Sequence, residues 1–192
     1  FAYDAPNGYD FMGASQRIAG QLPSGTSTVM EGRCDASFPT FPCDANAHTN
    51  IVNTVNNGPY LVNFAGHGTT GVWVNTGFYS ILDAPSLTNI NNLSVFTMLT
   101  CLNGYFIGTR NVSFAETLLN STTGGAVAAW ASTGTTTPDV QELMAKRFYL
   151  KIGDASIPRL GDLIVDAKTV VPGGRDVRLT WVLLGDPMLK VR

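Results

Sequence analysis

Three apolar runs constrain this chain more than any other feature: Tyr60 to Phe64, Leu93 to Thr100 and Gly125 to Ser132. Each is apolar nearly throughout rather than alternating, the pattern of a strand buried on both faces. Ser113 to Asn120, between the second and third runs, predicts a helix, and Ser113 with Glu116 has capping-box spacing. Phe78 to Leu82 predicts a short helix between the first two. Strands separated by helices imply parallel βαβ crossovers and a mostly parallel sheet covered by helices on both faces. The expected class is α/β, and 192 residues suit one domain over positions 1–192.

The flanking pattern fits that frame. Phe1 to Tyr3 reads as a strand end and Phe11 to Leu22 as a helix with Asp10 near its start. Ser27 to Met30 reads as a short strand, and His48 to Asn57 as a helix stopped by Asn57-Gly58-Pro59. Pro138 suits the first turn of a helix running to about Lys151. Ile157 to Val170 and Arg175 to Leu184 are further helical segments, and Met188 to Val191 a last strand.

Composition excludes several classes. The chain is 44% hydrophobic and 14% charged, with net charge −2 and 12 scattered basic residues. Such a chain can build a core and offers no basic surface for nucleic acid. Its longest apolar runs fall far short of the roughly 20 residues of a membrane span. Low charge with many Asn and Thr reads as a secreted or cell-surface protein. The chain begins at Phe1, as a cut piece of a longer precursor would.

Cys34 and Cys43 sit in one proline-containing loop that a local disulfide would close. Cys101 is then left over, either as a small buried hydrophobe or as a working thiol. The first buried strand runs into Gly66-His67-Gly68, and the second into Cys101-Leu102-Asn103-Gly104. Open α/β sheets bind ligands beyond the carboxyl ends of their strands. If the two strands are neighbours, His67 and Cys101 meet at that edge as base and nucleophile. A thiol with a pKa of about 8.5 needs such a partner at neutral pH. The N–H groups of Gly68 and Cys101 are the natural donors to an oxyanion. His48 lies inside a helix and reads as structural. No CxxC, HExxH, GxGxxG or GxxxxGK[ST] pattern is present to support a zinc or nucleotide site.

Several stretches together resemble the gingipain-type peptidases, family C25. They are Val62-Asn63-Phe64-Ala65-Gly66-His67-Gly68-Thr69, Thr100-Cys101-Leu102-Asn103-Gly104-Tyr105-Phe106, Ser113-Phe114-Ala115-Glu116, Gly124-Gly125-Ala126-Val127-Ala128 and Trp181-Val182-Leu183-Leu184-Gly185-Asp186-Pro187. The resemblance implies a caspase-like three-layer sandwich and a secreted cysteine endopeptidase working through a thioester. His67 and Cys101 take the family's catalytic positions. The chain would be the second, active-site subdomain, with a preceding subdomain absent from it.

By the same resemblance, Asp4 is expected to orient the imidazole, although alone it reads as a turn residue. Asp10 is expected at the base of a pocket for a basic P1 side chain; read alone, it is a helix N-cap. Trp73 is a candidate for the cleft wall, with a core position as the alternative. The loop Ser132 to Thr137 lacks the tryptophan expected of Arg-specific members. The expected partners are a protein or peptide substrate, and the missing first subdomain or a propeptide. No cofactor is expected to be required, and structural calcium stays open, since the family often carries it. The rival expectation is a catalytically silent caspase-like module used for binding or surface assembly.

Overall fold

A computed structural model describes residues 1–74, 78–108, 112–173 and 175–191. In chain order the elements are β1 (Ala2–Tyr3), α1 (Phe11–Ala19), β2 (Glu31–Gly32), α2 (Ala47–Asn56), β3 (Leu61–Ala65), β4 (Gly68–Thr69), β5 (Val72–Trp73) and β6 (Tyr79–Ser80). A 3₁₀ turn at Ala84–Ser86 follows, then β7 (Ser94–Leu99), α3 (Phe114–Asn120), β8 (Ala126–Ser132), α4 (Pro138–Lys151), α5 (Leu160–Lys168), α6 (Arg175–Thr180) and β9 (Trp181–Gly185).

The main sheet has six strands in the order β2-β1-β3-β7-β8-β9. All its pairings are parallel except β8 with β9. The three apolar runs are its centre, and every residue of β7 is buried. Alternation sends Val95 and Leu99 into one core and Phe96 and Met98 into the other. The first core packs against α1, α4 and α5 through Ile18, Phe148 and Leu163. The second packs against α2, α3 and the small antiparallel sheet β4-β5-β6 through Ile51, Leu118 and Trp73. Two helical layers on a mostly parallel sheet make the expected three-layer α/β sandwich.

The Ser113–Glu116 capping box forms in both directions and starts α3. Other expectations shift. Phe78 to Leu82 is not a helix: Tyr79 pairs with Trp73 in the small sheet and joins its aromatic cluster. The strand expected at Ser27–Met30 forms instead at Glu31–Gly32. The segment Arg175 to Leu184 changes from helix to strand after Thr180. There Trp181 buries against Trp130, and β9 supplies the partner that the edge of β8 needs. Met188 to Val191 makes only the single bridge Arg159–Lys190. For β2 and β9, pairing with a distant segment outweighs local propensity.

No helix among the described residues is long and apolar enough to cross a membrane.

Candidate active site

β3 and β7 are adjacent and parallel, with Ala65 opposite Leu99. The Gly66 N–H continues the ladder to the Leu99 carbonyl at 3.2 Å. His67 and Cys101 each lie two residues beyond that last pair, at the carboxyl edge of the sheet. Neighbouring strands run about 4.8 Å apart, so the topology sets both residues at the same edge of the sheet, on adjacent strands. His67 is exposed and Cys101 half-buried.

The His67 ring meets Phe11 edge-on, with centroids 5.3 Å apart. Its Nε2 lies 2.9 Å from the Asn7 carbonyl. A carbonyl only accepts, so Nε2 is the donor in this contact and Nδ1 is the ring nitrogen left for another partner. The Cys101 thiol donates to the Thr136 carbonyl at 3.7 Å. In this conformation the thiol and the imidazole are therefore each hydrogen-bonded to a backbone carbonyl rather than to each other.

Asp4 lies one residue past β1 and is 1% exposed. Its Oδ2 accepts from the backbone N–H of His67 at 3.3 Å, so the carboxylate holds the main chain of His67 rather than its ring. Its Oδ1 accepts from Ala5 N–H and Arg33 Nε, each at 2.7 Å. A Cβ at Gly66 would fall 2.6 Å from the Asp4 Cβ, so only glycine permits this approach.

Gly68 opens β4 opposite Trp73. The Val74 N–H donates to the His67 carbonyl at 2.8 Å, so by antiparallel alternation the Gly68 N–H points away from β5. A Cβ at Gly68 would lie 2.5 Å from Thr100 Oγ1 and 2.9 Å from the Val72 carbonyl. Gly68 is thereby packed against Thr100, the residue that precedes Cys101.

Among the described residues, two non-glycine residues have positive φ, Val74 at 61° and Leu102 at 62°. One binds the His67 carbonyl and the other follows Cys101. Such conformations cost about 1–3 kcal/mol each and gather at functional sites. Nothing in the residue types Val and Leu announces them, and sequence reading missed both.

The remaining candidates are placed differently. Asp10 caps α1, accepting from Gly13 N–H at 2.8 Å, and its other oxygen pairs with Arg17 at 3.3 Å. It is exposed and already has a cationic partner. Arg17 in turn bonds Glu142 of α4, at 2.7 Å through Nε and 2.9 Å through Nη2. The Tyr9 hydroxyl donates to the same carboxylate at 2.8 Å. The Arg17 hydrogen bond, helped by Tyr9, holds the Glu142 pKa below its ordinary value against the effect of burial. Burial first, and then Glu142, push the Tyr9 phenol up to about 12. Together these bonds fasten the segment that carries Asn7 to the start of α4.

Of the two expectations for Trp73, cleft wall and core, the structure places it in the core. It is 0% exposed, stacked on Phe64 with centroids 4.4 Å apart, and enclosed by Tyr79, Phe96 and Phe114. Trp130 is likewise buried, between Phe148 and Trp181. Cys34 and Cys43 form the expected disulfide. His48 pairs with Asp83 at 2.8 Å. No group of three or more His, Cys, Asp or Glu among the described residues is arranged to hold a metal ion, so no calcium position is identified there. A cleft lined by Leu22, Val29, Pro59, Leu61 and Ile152 lies at the amino end of β3, remote from the Cys/His edge.

Over residues 15–192 the chain matches Peptidase family C25. Gingipain R2 of Porphyromonas gingivalis is 28% identical over 159 residues, which are 74% of this chain and 21% of that protein. Gingipain R1 of the same organism is 28% identical over 159 residues, 74% of this chain and 16% of that protein. The crystal structure of the Arg-specific cysteine proteinase gingipain R superposes with a TM-score of 0.77 at 23% identity, covering 100% of this chain and 47% of that one. A complex of the pro- and mature domains of Porphyromonas gingivalis RgpB gives 0.79 at 24% identity, covering 100% and 48%. The chain thus spans about a fifth or less of these curated relatives and about half of the solved chains. The shared fold is the caspase-like sandwich expected from the sequence. With the family match running through nearly all of the sequence, this chain belongs to peptidase family C25.

Proposed function

We propose that this chain carries the active-site portion of a secreted cysteine endopeptidase, with Cys101 as nucleophile and His67 as its base. One observation carries this reading: the two residues stand at equivalent positions beyond the paired ends of β3 and β7. His67 Nδ1 takes the Cys101 proton, and the thiolate attacks the scissile carbonyl. The N–H groups of Gly68 and Cys101 receive the oxyanion. The imidazolium then protonates the leaving amine, and a thioester remains on Cys101. His67 next draws a proton from water, which attacks the thioester and releases the acid. Asn7 and Asp4 hold the ring and main chain of His67 during these transfers. No step calls on a cofactor.

The gingipain R structure is of an Arg-specific proteinase. For this chain we extend that to a preference for a basic P1 side chain, with Asp10 as the carboxylate that receives it. Arg17 would have to yield its bond to Asp10 when such a substrate binds. A pro-domain or a further subdomain is the partner this reading expects, in line with the pro- and mature-domain complex among its structural neighbours. The Cys34–Cys43 disulfide supports an oxidising, extracytoplasmic location.

The second reading, a catalytically silent binding module, draws on one feature. The thiol and the imidazole are bonded to Thr136 and Asn7 rather than to each other. Labelling with an arginyl or lysyl chloromethyl ketone, followed by mass spectrometry, separates the two. Modification of Cys101 with loss of peptidase activity supports the enzyme. A folded, unmodified protein supports the binding module.

A further inference from the structure

Asp4 is almost fully buried, and its charge needs a partner inside the protein. Arg33 supplies it, with Nε 2.7 Å from Oδ1 and its own side chain only 11% exposed. The rest of the guanidinium is also held. Nη2 donates to Asp35 at 2.6 Å and Nη1 to the Cys34 carbonyl at 3.3 Å. Burial opposes the charge on Arg33, but the hydrogen bonds to Asp35 and Asp4 prevail and raise its pKa.

The backbone fixes where this side chain starts. Arg33 N–H donates to the Tyr3 carbonyl at 3.0 Å, which sets Arg33 beside the end of β1 and so beside Asp4. On the other side Arg33 bridges to Asp44, whose N–H donates to the Gly32 carbonyl at 3.1 Å. The disulfide joins Cys34 to Cys43, the immediate neighbours of those two bridged residues. A continuous line of contacts therefore runs from the disulfide through Arg33 and Asp4 to the amide of His67.

We infer that Arg33, clamped by the Cys34–Cys43 disulfide, is a positioning residue for His67 and acts on it through Asp4. This rests on the peptidase reading of Cys101 and His67. Removing Arg33 leaves a buried carboxylate without its counter-charge. Asp4 then moves toward water, and the anchor on His67 slackens. The Gly66–His67 peptide packs directly on Asp4, so the shift reaches the imidazole. A displacement of about 1 Å at a catalytic group costs about 100-fold in rate.

The test compares the parent protein with Arg33→Met, Arg33→Lys and the double variant Cys34→Ser/Cys43→Ser. Two quantities are read: kcat and KM on a peptide substrate, and the rate of Cys101 alkylation by iodoacetamide against pH. Thermal melting checks the fold. Arg33→Met is expected to lower kcat about 10- to 100-fold, with little change in KM, and to slow alkylation at neutral pH toward that of an ordinary thiol. The double cysteine variant is expected to move both readouts in the same direction by a smaller factor. A folded Arg33→Met protein with parental kcat and alkylation profile overturns the inference. Should Arg33→Met fail to fold, Arg33→Lys decides on the same readouts, since it keeps the charge but loses the planar fork. Failure of the peptidase reading shows separately and takes the inference with it: His67→Ala would then leave the parental alkylation profile unchanged.

Discussion

His67 and Cys101 stand in register, each two residues beyond the last paired positions of adjacent parallel strands, Ala65 of β3 and Leu99 of β7. Neither a shared loop nor sequence proximity brings them together. The pair is a product of sheet order, and its chemistry can be tested one residue at a time.

Replacing Cys101 by Ala is expected to abolish peptide hydrolysis, and His67→Ala to lower kcat by about a thousand-fold or more. Both proteins should fold, because His67 is exposed and Cys101 only half-buried. Steady-state kinetics alongside circular dichroism would check this. Full activity in Cys101→Ala would remove the thiol from the mechanism.

Gly68→Ala should be damaging out of proportion to its size. The new methyl group would meet Thr100 Oγ1 at 2.5 Å and the Val72 carbonyl at 2.9 Å. Relief of that overlap moves the Gly68 amide, which this mechanism uses as an oxyanion donor. Loss of one such donor lowers kcat by about 100-fold or more, while overpacking costs about 1–3 kcal/mol. Measuring kcat and a denaturation midpoint on the same variant separates the two effects; an unchanged kcat would take Gly68 out of the oxyanion site.

Trp73→Ala tests its placement in the core. The ring is fully enclosed among four aromatic side chains, so its removal is expected to cost about 3–5 kcal/mol. Urea unfolding measures this directly. A cleft-wall residue would instead raise KM while leaving the unfolding midpoint in place.

The Tyr9–Glu142–Arg17 cluster predicts an acid limb of stability. The folded-state pKa of Glu142 is depressed, chiefly by the Arg17 hydrogen bond. Its contribution is therefore present above the ordinary glutamate value of about 4.3. It is lost as pH falls through the lower folded value, because the unfolded chain then binds more protons. Melting temperatures taken from neutral pH down to strongly acidic pH should fall less steeply in Glu142→Gln than in the parent. Parallel curves would show that the cluster makes no such contribution.

The core of the architecture was legible because β3, β7 and β8 are apolar on both faces, and only a doubly covered strand tolerates that. α3 was legible because its capping box is local. The segment around Tyr79 was not, because the ring is claimed by Trp73 across the small sheet and by Phe114, which lies far from it in sequence. Trp181 to Leu184 fits a helical run as well as a strand, and only the open edge of β8 decides for β9. At the site, Cys101, His67 and the disulfide could be named in advance. That Asp4 binds the main chain of His67 and draws its counter-charge from Arg33 could not. Those contacts span 63 and 29 residues and depend on how β1 lies between β2 and β3.

By itself the sequence determined the buried strands, the spare thiol and the glycine-flanked histidine, and the family to which they belong. Those properties are carried by runs of neighbouring residues, whose patterning survives without coordinates. Tertiary structure alone decided the partners: Asn7 for the imidazole, Thr136 for the thiol, Arg33 for Asp4, and Arg17 for Asp10. Hydrogen bonds and ion pairs act over a few ångströms, and most of these partners become neighbours only when the sheet has ordered its strands.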